Sequence, residues 1–454
     1  MALGSATHQK PGQPGRAVEG DGEAGVGEAR DEARLACQGE DDSGQDLLTQ
    51  VLSKANMARA WKRVKANRGS AGVDGLSVTE TAEFLKTYWP RVREELRNGS
   101  YRPRPVRRVQ IPKAGGGMRE LGIPTVTDRL IQQAILQVLQ PAIDPTFSES
   151  SYGFRPGRRA HDAVLQAQRY VQDGRRMVVD VDLEKFFDRV NHDILMDRLA
   201  KRIADKAVLR LIRHYLNAGI MDQGVVCERY EGTPQGGPLS PLLANVLLDE
   251  VDRELEKRGQ CFVRYADDCN VYVRSQKAGE RVLAGLRRCY ARLRLQVNES
   301  KTAVAPVRGR KFLGYSFWMA KGEVKRKVAA KAIATYKMRI RQLTSRTRGR
   351  SLSQVAESLR QYVPGWKAYF RLAQTPQVFR ELDEWTRHRL RALQLKQWKR
   401  PSTIFRELRA RGAPVERARR VAGNGRRWWH NSRLNLNGLM PIAFFDRLGV
   451  PRLA

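Results

Sequence analysis

Apolar residues recur at helical spacing from Leu47 to Lys65, and the run ends at the Asn67-Arg68-Gly69 breaker. A Gly72-Val-Asp-Gly75 turn follows, then an amphipathic helix over 79–97. Between 104 and 124 the pattern changes to that of a hairpin, with Val106, Val109 and Ile111 on one arm and Leu121 and Ile123 on the other. Gly115-Gly116-Gly117 marks its turn. Helical spacing returns from Asp128 to Val138, where Pro141 is expected to stop it. Further helices are expected at 159–172, 192–216, 238–257 and 277–294. Short apolar strands are expected at 176–182 and 312–317, and two more from Cys261 to Arg274 about an Asp-Asp turn. Beyond about 327 the pattern is almost wholly helical, so the fold class is α+β.

Charge divides the chain differently. The 454 residues carry 83 Lys+Arg against 48 Asp+Glu, a net charge of +35. Such an excess points to a polyanionic partner, of which nucleic acid is the commonest. Residues 1–50 hold ten acidic and four basic side chains, and 1–45 are expected to form a disordered acidic tail. Residues 321–454 hold 32 basic and 8 acidic side chains, the highest density of excess cation. A nucleic-acid surface is expected there, because each cation placed on a phosphate releases counterions. Five scattered cysteines exclude a disulfide scaffold or a disulfide-linked partner, and the lack of a CxxC pair argues against a zinc module. No stretch approaches 18 apolar residues and no signal peptide is recognisable, so a cytosolic setting without membrane contact is expected.

Two strand patterns end in acid. Met177-Val-Val-Asp-Val-Asp182 is one, and the hairpin Phe262–Val273 presents Asp267 and Asp268. An Asp pair in a turn is by itself commonplace, since Asp favours turns. Two apolar strands delivering acids to one end of a sheet make a hard-cation site instead. Mg²⁺ takes oxygen ligands and bridges substrate phosphates, and two such ions stabilise both oxygens of an in-line phosphoryl displacement. This is the inventory for nucleotidyl transfer.

Tyr265-Ala266-Asp267-Asp268 resembles the signature of reverse transcriptases. The surrounding blocks resemble group II intron-encoded proteins, which join a reverse transcriptase to a maturase. They are Gly72-Val-Asp-Gly75, Ile111-Pro-Lys113, Gly116-Gly-Met-Arg119, Leu121-Gly-Ile-Pro124 and Ser151-Tyr-Gly-Phe-Arg-Pro-Gly157. Asp182 to Asp193, Thr233-Pro-Gln-Gly-Gly-Pro-Leu-Ser-Pro241, Asn298 to Thr302 and Phe312-Leu-Gly-Tyr315 continue the series. In the helical region, Tyr362-Val-Pro-Gly-Trp-Lys-Ala-Tyr-Phe-Arg371 resembles the family's thumb, or domain X. The end of the chain, from Trp428 to Arg452, resembles the bacterial class C type, and no endonuclease domain is expected.

The resemblance implies a right-hand polymerase with an antiparallel palm sheet, mostly helical fingers, a helical thumb and a small basic C-terminal domain. Its parts would be fingers and palm at 46–320, thumb at 321–400 and a DNA-binding region at 401–454. Asp182, Asp267 and Asp268 match the catalytic, metal-binding acids for two Mg²⁺ ions, with the Leu183 carbonyl beside them. Asp180 and Asp188 are nearby alternatives, and the motif register favours Asp182. Lys113 and Arg119 match the pair that holds the nucleotide triphosphate; surface cations on a hairpin are the other reading. Phe187 matches the residue beneath the nucleotide sugar, where a core aromatic is the alternative. Gln235 and Gly236 match the loop near the sugar, and Lys301 a lysine near the departing pyrophosphate. Arg155 and Arg158 fall in a template-contacting block, and Phe312, Leu313, Gly314 and Tyr315 in a primer-gripping one.

Tyr362, Trp366, Tyr369 and Phe370 share one helix face and are expected as thumb core. Trp428 and Trp429 follow Arg426 and Arg427, which suits either nucleic-acid contact or a buried anchor. The implied function is RNA-directed DNA synthesis together with binding of intron RNA in splicing and retrohoming. The implied partners are group II intron RNA, an RNA template with a DNA or RNA primer, dNTPs and target DNA. A splicing-only maturase, or a reverse transcriptase in defence or repair, are the alternatives.

Overall fold

The alternation at 104–124 forms its hairpin: β1 (Val106–Pro112) runs antiparallel to β2 (Met118–Ile123), with Ile111 opposite Arg119. Along the chain follow β3 (Met177–Val181), β4 (Ile220–Asp222), β5 (Val225–Cys227), β6 (Cys261–Tyr265) and β7 (Asp268–Val273). β8 (Ala303–Pro306), β9 (Tyr315–Ala320) and β10 (Glu323–Val328) complete the set. These observations come from a computed structural model that describes residues 46–112, 118–222, 225–227, 231–233 and 236–454. The expected acidic tail at 1–45, Lys113, Gln235 and the side chain of Arg119 lie outside the described residues.

Three sheets result. One has the order β2-β1-β4-β5, one β6-β7-β3-β8, and β9 pairs with β10 alone. In the second sheet every neighbour is antiparallel. Its strands are covered on both faces, which is why they read as short continuous apolar runs. Val179 and Val181 of β3 join the core that contains the helix Ser240–Lys257. Val178, on the other face, joins Val263 and Tyr272 against Ala163, Val164 and Ala167 of the helix Ala160–Gln172.

Several helices differ from the sequence reading. Pro141 does not end its helix, which runs Val126–Ile143 and takes the proline into its final turn, so the chain accepts the loss of one i→i−4 hydrogen bond there. The expected helix at 192–216 is two, His192–Ala200 and Lys206–Asn217, because Asp205 caps the second by accepting from the Ala207 and Val208 N–H groups. In the same way Ser53 starts a new helix, Lys54–Asn67, by accepting from the Asn56 N–H. The strand expected at 312–317 begins only at Tyr315. β10 lies in a stretch for which the pattern predicts no element, because three consecutive cations, Lys325, Arg326 and Lys327, interrupt the apolar alternation that pairs with β9.

From Ala330 onward the structure is helical, as the pattern indicates, and Tyr336, Leu359, Val363, Leu390 and Phe445 sit in one further core. Val324, Val328 and Phe370, from beyond residue 320, complete the core on the Val178 face of the second sheet. Residues Leu47–Ala454 therefore make one unit. Among the described residues, no helix is long and apolar enough to cross a membrane. Cys261, Cys269 and Cys289 are free thiols.

Candidate functional site

The acids meet through strand register. β3 pairs with β7 so that Asp180 faces Asn270 and Val181 faces Cys269. One step further along that register puts Asp182 beside Asp268. The β6–β7 turn is tighter than an Asp-Asp tip: Tyr265 pairs with Asp268, so Ala266 and Asp267 alone form the turn. Ala266 holds φ at +57°, a left-handed conformation unusual for a residue with a Cβ. Asp180, Asp182 and Asp268 line one cavity of about 440 Å³, which also presents Lys301, Arg310 and Lys311.

Cations already answer some of this negative charge. Lys301 Nζ stands 3.1 Å from Asp182 Oδ1, and Arg310 Nη1 3.7 Å from Asp180 Oδ2. Desolvation, then the charges of Asp267, Asp180 and Asp182, push the Asp268 carboxyl up to about 6, against the opposing pull of Lys311. Burial also raises Asp180, with Arg310 opposing. Among the described residues, no three Asp, Glu, His or Cys side chains stand close enough together to hold one ion. The donor chemistry still suits a hard divalent cation, because Asp180, Asp182, Asp267 and Asp268 offer only oxygen. The mutual repulsion that lifts Asp268 is also what such a cation would relieve. Gathering Asp182 onto an ion would require Lys301 to withdraw.

A buried network fixes the turn from behind. Arg264 is fully buried; its Nη1 donates to the Ala266 carbonyl at 2.9 Å and to Asn245 Oδ1 at 2.9 Å. Its Nη2 donates to Asp252 Oδ2 at 2.6 Å and Ser151 Oγ at 2.8 Å, while Nε reaches Asp252 Oδ1 at 2.8 Å. Asn245 in turn donates to the Gly153 carbonyl at 2.9 Å. A Cβ on Gly153 would lie 2.2 Å from the Ala266 nitrogen, so only glycine fits against the turn. Sequence reasoning missed Arg264, Asp252 and Asn245 as parts of the site. The signal was an Arg at the end of an otherwise apolar strand, where a buried charge requires a partner.

A second turn closes the cavity. Phe312 and Tyr315 exchange backbone hydrogen bonds of 2.9 Å, leaving Leu313 and Gly314 at the tip with φ of +49° and +80°. The Tyr369 hydroxyl donates to the Leu313 carbonyl at 2.9 Å, and the Tyr315 hydroxyl donates to the Tyr369 carbonyl. A Cβ on Gly314 would sit 3.1 Å from the Phe370 ring. The aromatic face of the helix Leu352–Tyr369 thus packs as core, as expected, and also holds the Phe312–Tyr315 turn.

The other expected residues are placed as follows. Leu183 is buried in the core, bridged to Val297. Phe187 is half-buried, edge-on to Phe186 at 5.0 Å, and its carbonyl accepts from Thr233 N–H at 2.7 Å. That bond ties it to the loop that carries Gln235. Gly236 has φ of +134°, and a Cβ there would meet the Gly122 carbonyl of β2 at 2.6 Å, which brings this loop against the first hairpin. Arg119 lies opposite Ile111 in that hairpin. Arg155 is a buried clamp: it bonds Asp144 Oδ1 at 3.0 Å, the Ser148 carbonyl at 2.6 Å and the Ser151 carbonyl at 3.0 Å. Arg158 pairs with Glu149 at 2.5 Å. Both arginines hold the loop before the helix Ala160–Gln172.

Residues 111–317 match the family "Reverse transcriptase (RNA-dependent DNA polymerase)", and residues 333–412 match "Group II intron, maturase-specific domain". The chain joins a reverse transcriptase domain to a group II intron maturase domain. Protein YkfC of Escherichia coli (strain K12) is 37% identical over 220 residues, 47% of this chain and 58% of that protein. Group II intron-encoded protein LtrA of Lactococcus lactis subsp. cremoris is 38% identical over 196 residues, 43% of this chain and 32% of LtrA. The putative COX1/OXI3 intron 1 protein of Saccharomyces cerevisiae is 30% identical over 218 residues, 48% of this chain and 26% of that protein. The matched stretches thus cover no more than 58% of the length of these relatives. The reverse transcriptase match contains the acid cavity and the Phe312–Tyr315 turn, and reverse transcriptase domains use divalent metal ions. The maturase match includes Tyr369 and Phe370, the side chains that clasp that turn.

Proposed function

We propose that the chain is an RNA-directed DNA polymerase that also binds group II intron RNA as a maturase. The observation that carries the polymerase reading is the register of β3 and β7, which brings Asp182 and Asp268 to one cavity inside the reverse transcriptase match. In this reading the β6-β7-β3-β8 sheet is the palm, the first hairpin belongs to the fingers, and the helices after Ala330 form the thumb and a basic C-terminal region. Asp182, Asp267 and Asp268 would hold two Mg²⁺ ions, with the Leu183 carbonyl beside them. When bound, such ions supply charge neutralisation for the attacking primer oxygen and the leaving pyrophosphate.

The chain's own residues do the positioning. Arg264 holds the Ala266–Asp267 turn, so that the acids need not reorganise as the substrate arrives. Lys113 and Arg119 would take the triphosphate of a dNTP. Gly236 lets the backbone of the Gln235 loop approach closely, and Phe187, tethered to the same loop, would lie under the sugar. Lys301 would exchange Asp182 for the departing pyrophosphate. The Phe312–Tyr315 turn, held by Tyr369, would support the primer end.

Two features support the maturase reading: the match at 333–412 and the excess of cations beyond residue 320. Copying the intron RNA from a primer in target DNA would join the two activities. Extension of a DNA primer on an RNA template with dNTPs and Mg²⁺ tests the polymerase, with Asp267→Ala as control. Incorporation by the parent and a loss of at least about 100-fold in the variant are expected. Absence of incorporation by the parent, with RNA binding retained, would leave only the maturase.

A further inference from the structure

The paired tryptophans at the start of the helix Trp428–Leu434 have different environments. Trp428 is half-buried against the C-terminal core, with Lys396 Nζ 4.3 Å and the Arg346 guanidinium 5.0 Å from its ring. It is an anchor. Trp429 is 45% exposed, although it is one of the largest apolar side chains in the protein. One face of its ring stacks on His388 at 3.6 Å and 29°. His388 Nε2 also lies 2.9 Å from the Trp429 carbonyl, so ring and backbone are held together. Burial lowers the His388 pKa, opposed by the bond to the Trp429 carbonyl and aided by the charges of Arg391, Arg433 and Arg389.

Trp429 stands in an open cleft of about 570 Å³ whose other walls include Arg346, Arg426, Arg427 and Arg433. No ion pair to an acid is formed by any of these four arginines among the described residues. Elsewhere in the same region arginines are paired: Arg411 with Glu407, Arg360 with Glu357, Arg452 with Asp446. An exposed indole, fixed from behind and ringed by unpaired guanidinium groups, matches the chemistry of a base between two phosphates. Within a duplex both faces of each interior base are already stacked on its neighbours, so such a ring finds no place there.

We propose that this cleft binds an unpaired stretch of nucleic acid, with one base stacked on Trp429 and the flanking phosphates taken by Arg426, Arg427 and Arg433. The inference rests on the nucleic-acid reading above and goes beyond it by naming a site away from the acid cavity and the strandedness that it selects. RNA and DNA single strands share this chemistry, so both belong in the test.

The test uses the full chain, first saturated with a primer–template hybrid so that the acid cavity is occupied. Labelled 12-nucleotide RNA and DNA single strands, the same strands with abasic sites, a blunt duplex and a poly-glutamate peptide are then titrated by fluorescence anisotropy. Trp429→Ala should weaken both single strands by about 5- to 100-fold, and Trp429→Phe should recover most of that. Abasic strands and the duplex should bind Trp429→Ala and the parent alike. Replacing Arg426, Arg427 and Arg433 together by Gln should weaken intact and abasic strands alike and lower the salt slope by about 2. A 4-thiouridine in the single-stranded RNA should crosslink within 426–434. Unchanged single-strand binding by Trp429→Ala, an equal loss on abasic strands, or tighter Trp429-dependent binding of poly-glutamate would each overturn the proposal. If the parent binds neither hybrid nor single strand, the wider nucleic-acid reading fails as well. If the parent extends primers while Trp429→Ala binds as the parent does, only the stacking site fails.

Discussion

At the scale of single residues, the acid cavity depends on groups that never reach it. Arg264 and Asp252 are 1% and 0% exposed at the side chain, so each needs the other. Arg264→Met would strand the Asp252 carboxylate and is expected to cost about 3–5 kcal/mol, measured by denaturant unfolding. The double variant Arg264→Met/Asp252→Leu should recover much of that stability, because an apolar pair of similar volume is tolerated. Primer extension should stay low in the double variant, since the Ala266 carbonyl has still lost its donor. Recovery of extension together with stability would show that Arg264 holds the fold and not the turn.

Asp268 permits a pH prediction. Burial, then the neighbouring carboxylates, push its folded carboxyl up to about 6, above the ordinary range for Asp, so the folded chain holds this proton more tightly than the unfolded one. The corresponding stability is fully present below about pH 4 and is lost as the pH rises through 6. In chelator, Asp268→Asn should therefore melt above the parent at pH 7, and the two should converge near pH 4. Added Mg²⁺ should raise the parent's Tm at pH 7 more than the variant's. Parallel melting curves from pH 4 to 7 would contradict a folded Asp268 carboxyl raised by burial and its neighbours.

At the scale of elements, two tight turns and one helix end make the site. The Ala266–Asp267 turn presses on Gly153, and the Leu313–Gly314 turn presses on Phe370. Gly153→Ala must push the turn, because the obstacle is backbone. Gly314→Ala combines a left-handed φ of +80° with a ring at 3.1 Å, and should cost about 1–3 kcal/mol. Both should reduce extension by more than their loss of stability explains, measured at a temperature where each remains folded. Much of the element layer was readable in the chain: the 104–124 hairpin, the acid-bearing strands and the helices beyond 330 follow from period and breakers. β8 and β10 were not, since β8 has only four residues and the middle of β10 is three consecutive cations. The break between 200 and 206 escaped the pattern because apolar spacing continues across it, while the Asp205 cap decides it.

At the scale of the whole molecule, the boundary near residue 320 is one of sequence and not of packing. Val324, Val328 and Phe370 share a core with Val178, Val263 and Tyr272 of the acid sheet. A fragment ending at residue 320 loses those three side chains, worth about 5 kcal/mol or more by burial. It should unfold at markedly lower denaturant than the full chain, and a fragment with the full-length midpoint would contradict the shared core. The same packing lets Tyr369 and Phe370, within the maturase match, clasp the turn that closes the acid cavity within the reverse transcriptase match.

The sequence alone determined the class of fold, the acids at the ends of two strands and the concentration of cations beyond residue 320, because these are local or compositional properties. It also carried the motifs whose family resemblance the two domain matches bear out. Only tertiary structure decided that Asp182 adjoins Asp268 through a register of distant strands, and that Arg155 is a clamp while Arg264 steadies the acids. It also decided that Trp428 is half-buried against the C-terminal core while Trp429 stays exposed. Pairing across 80 or more residues, and the burial of one member of an adjacent pair, depend on which surfaces meet, and no local pattern encodes that.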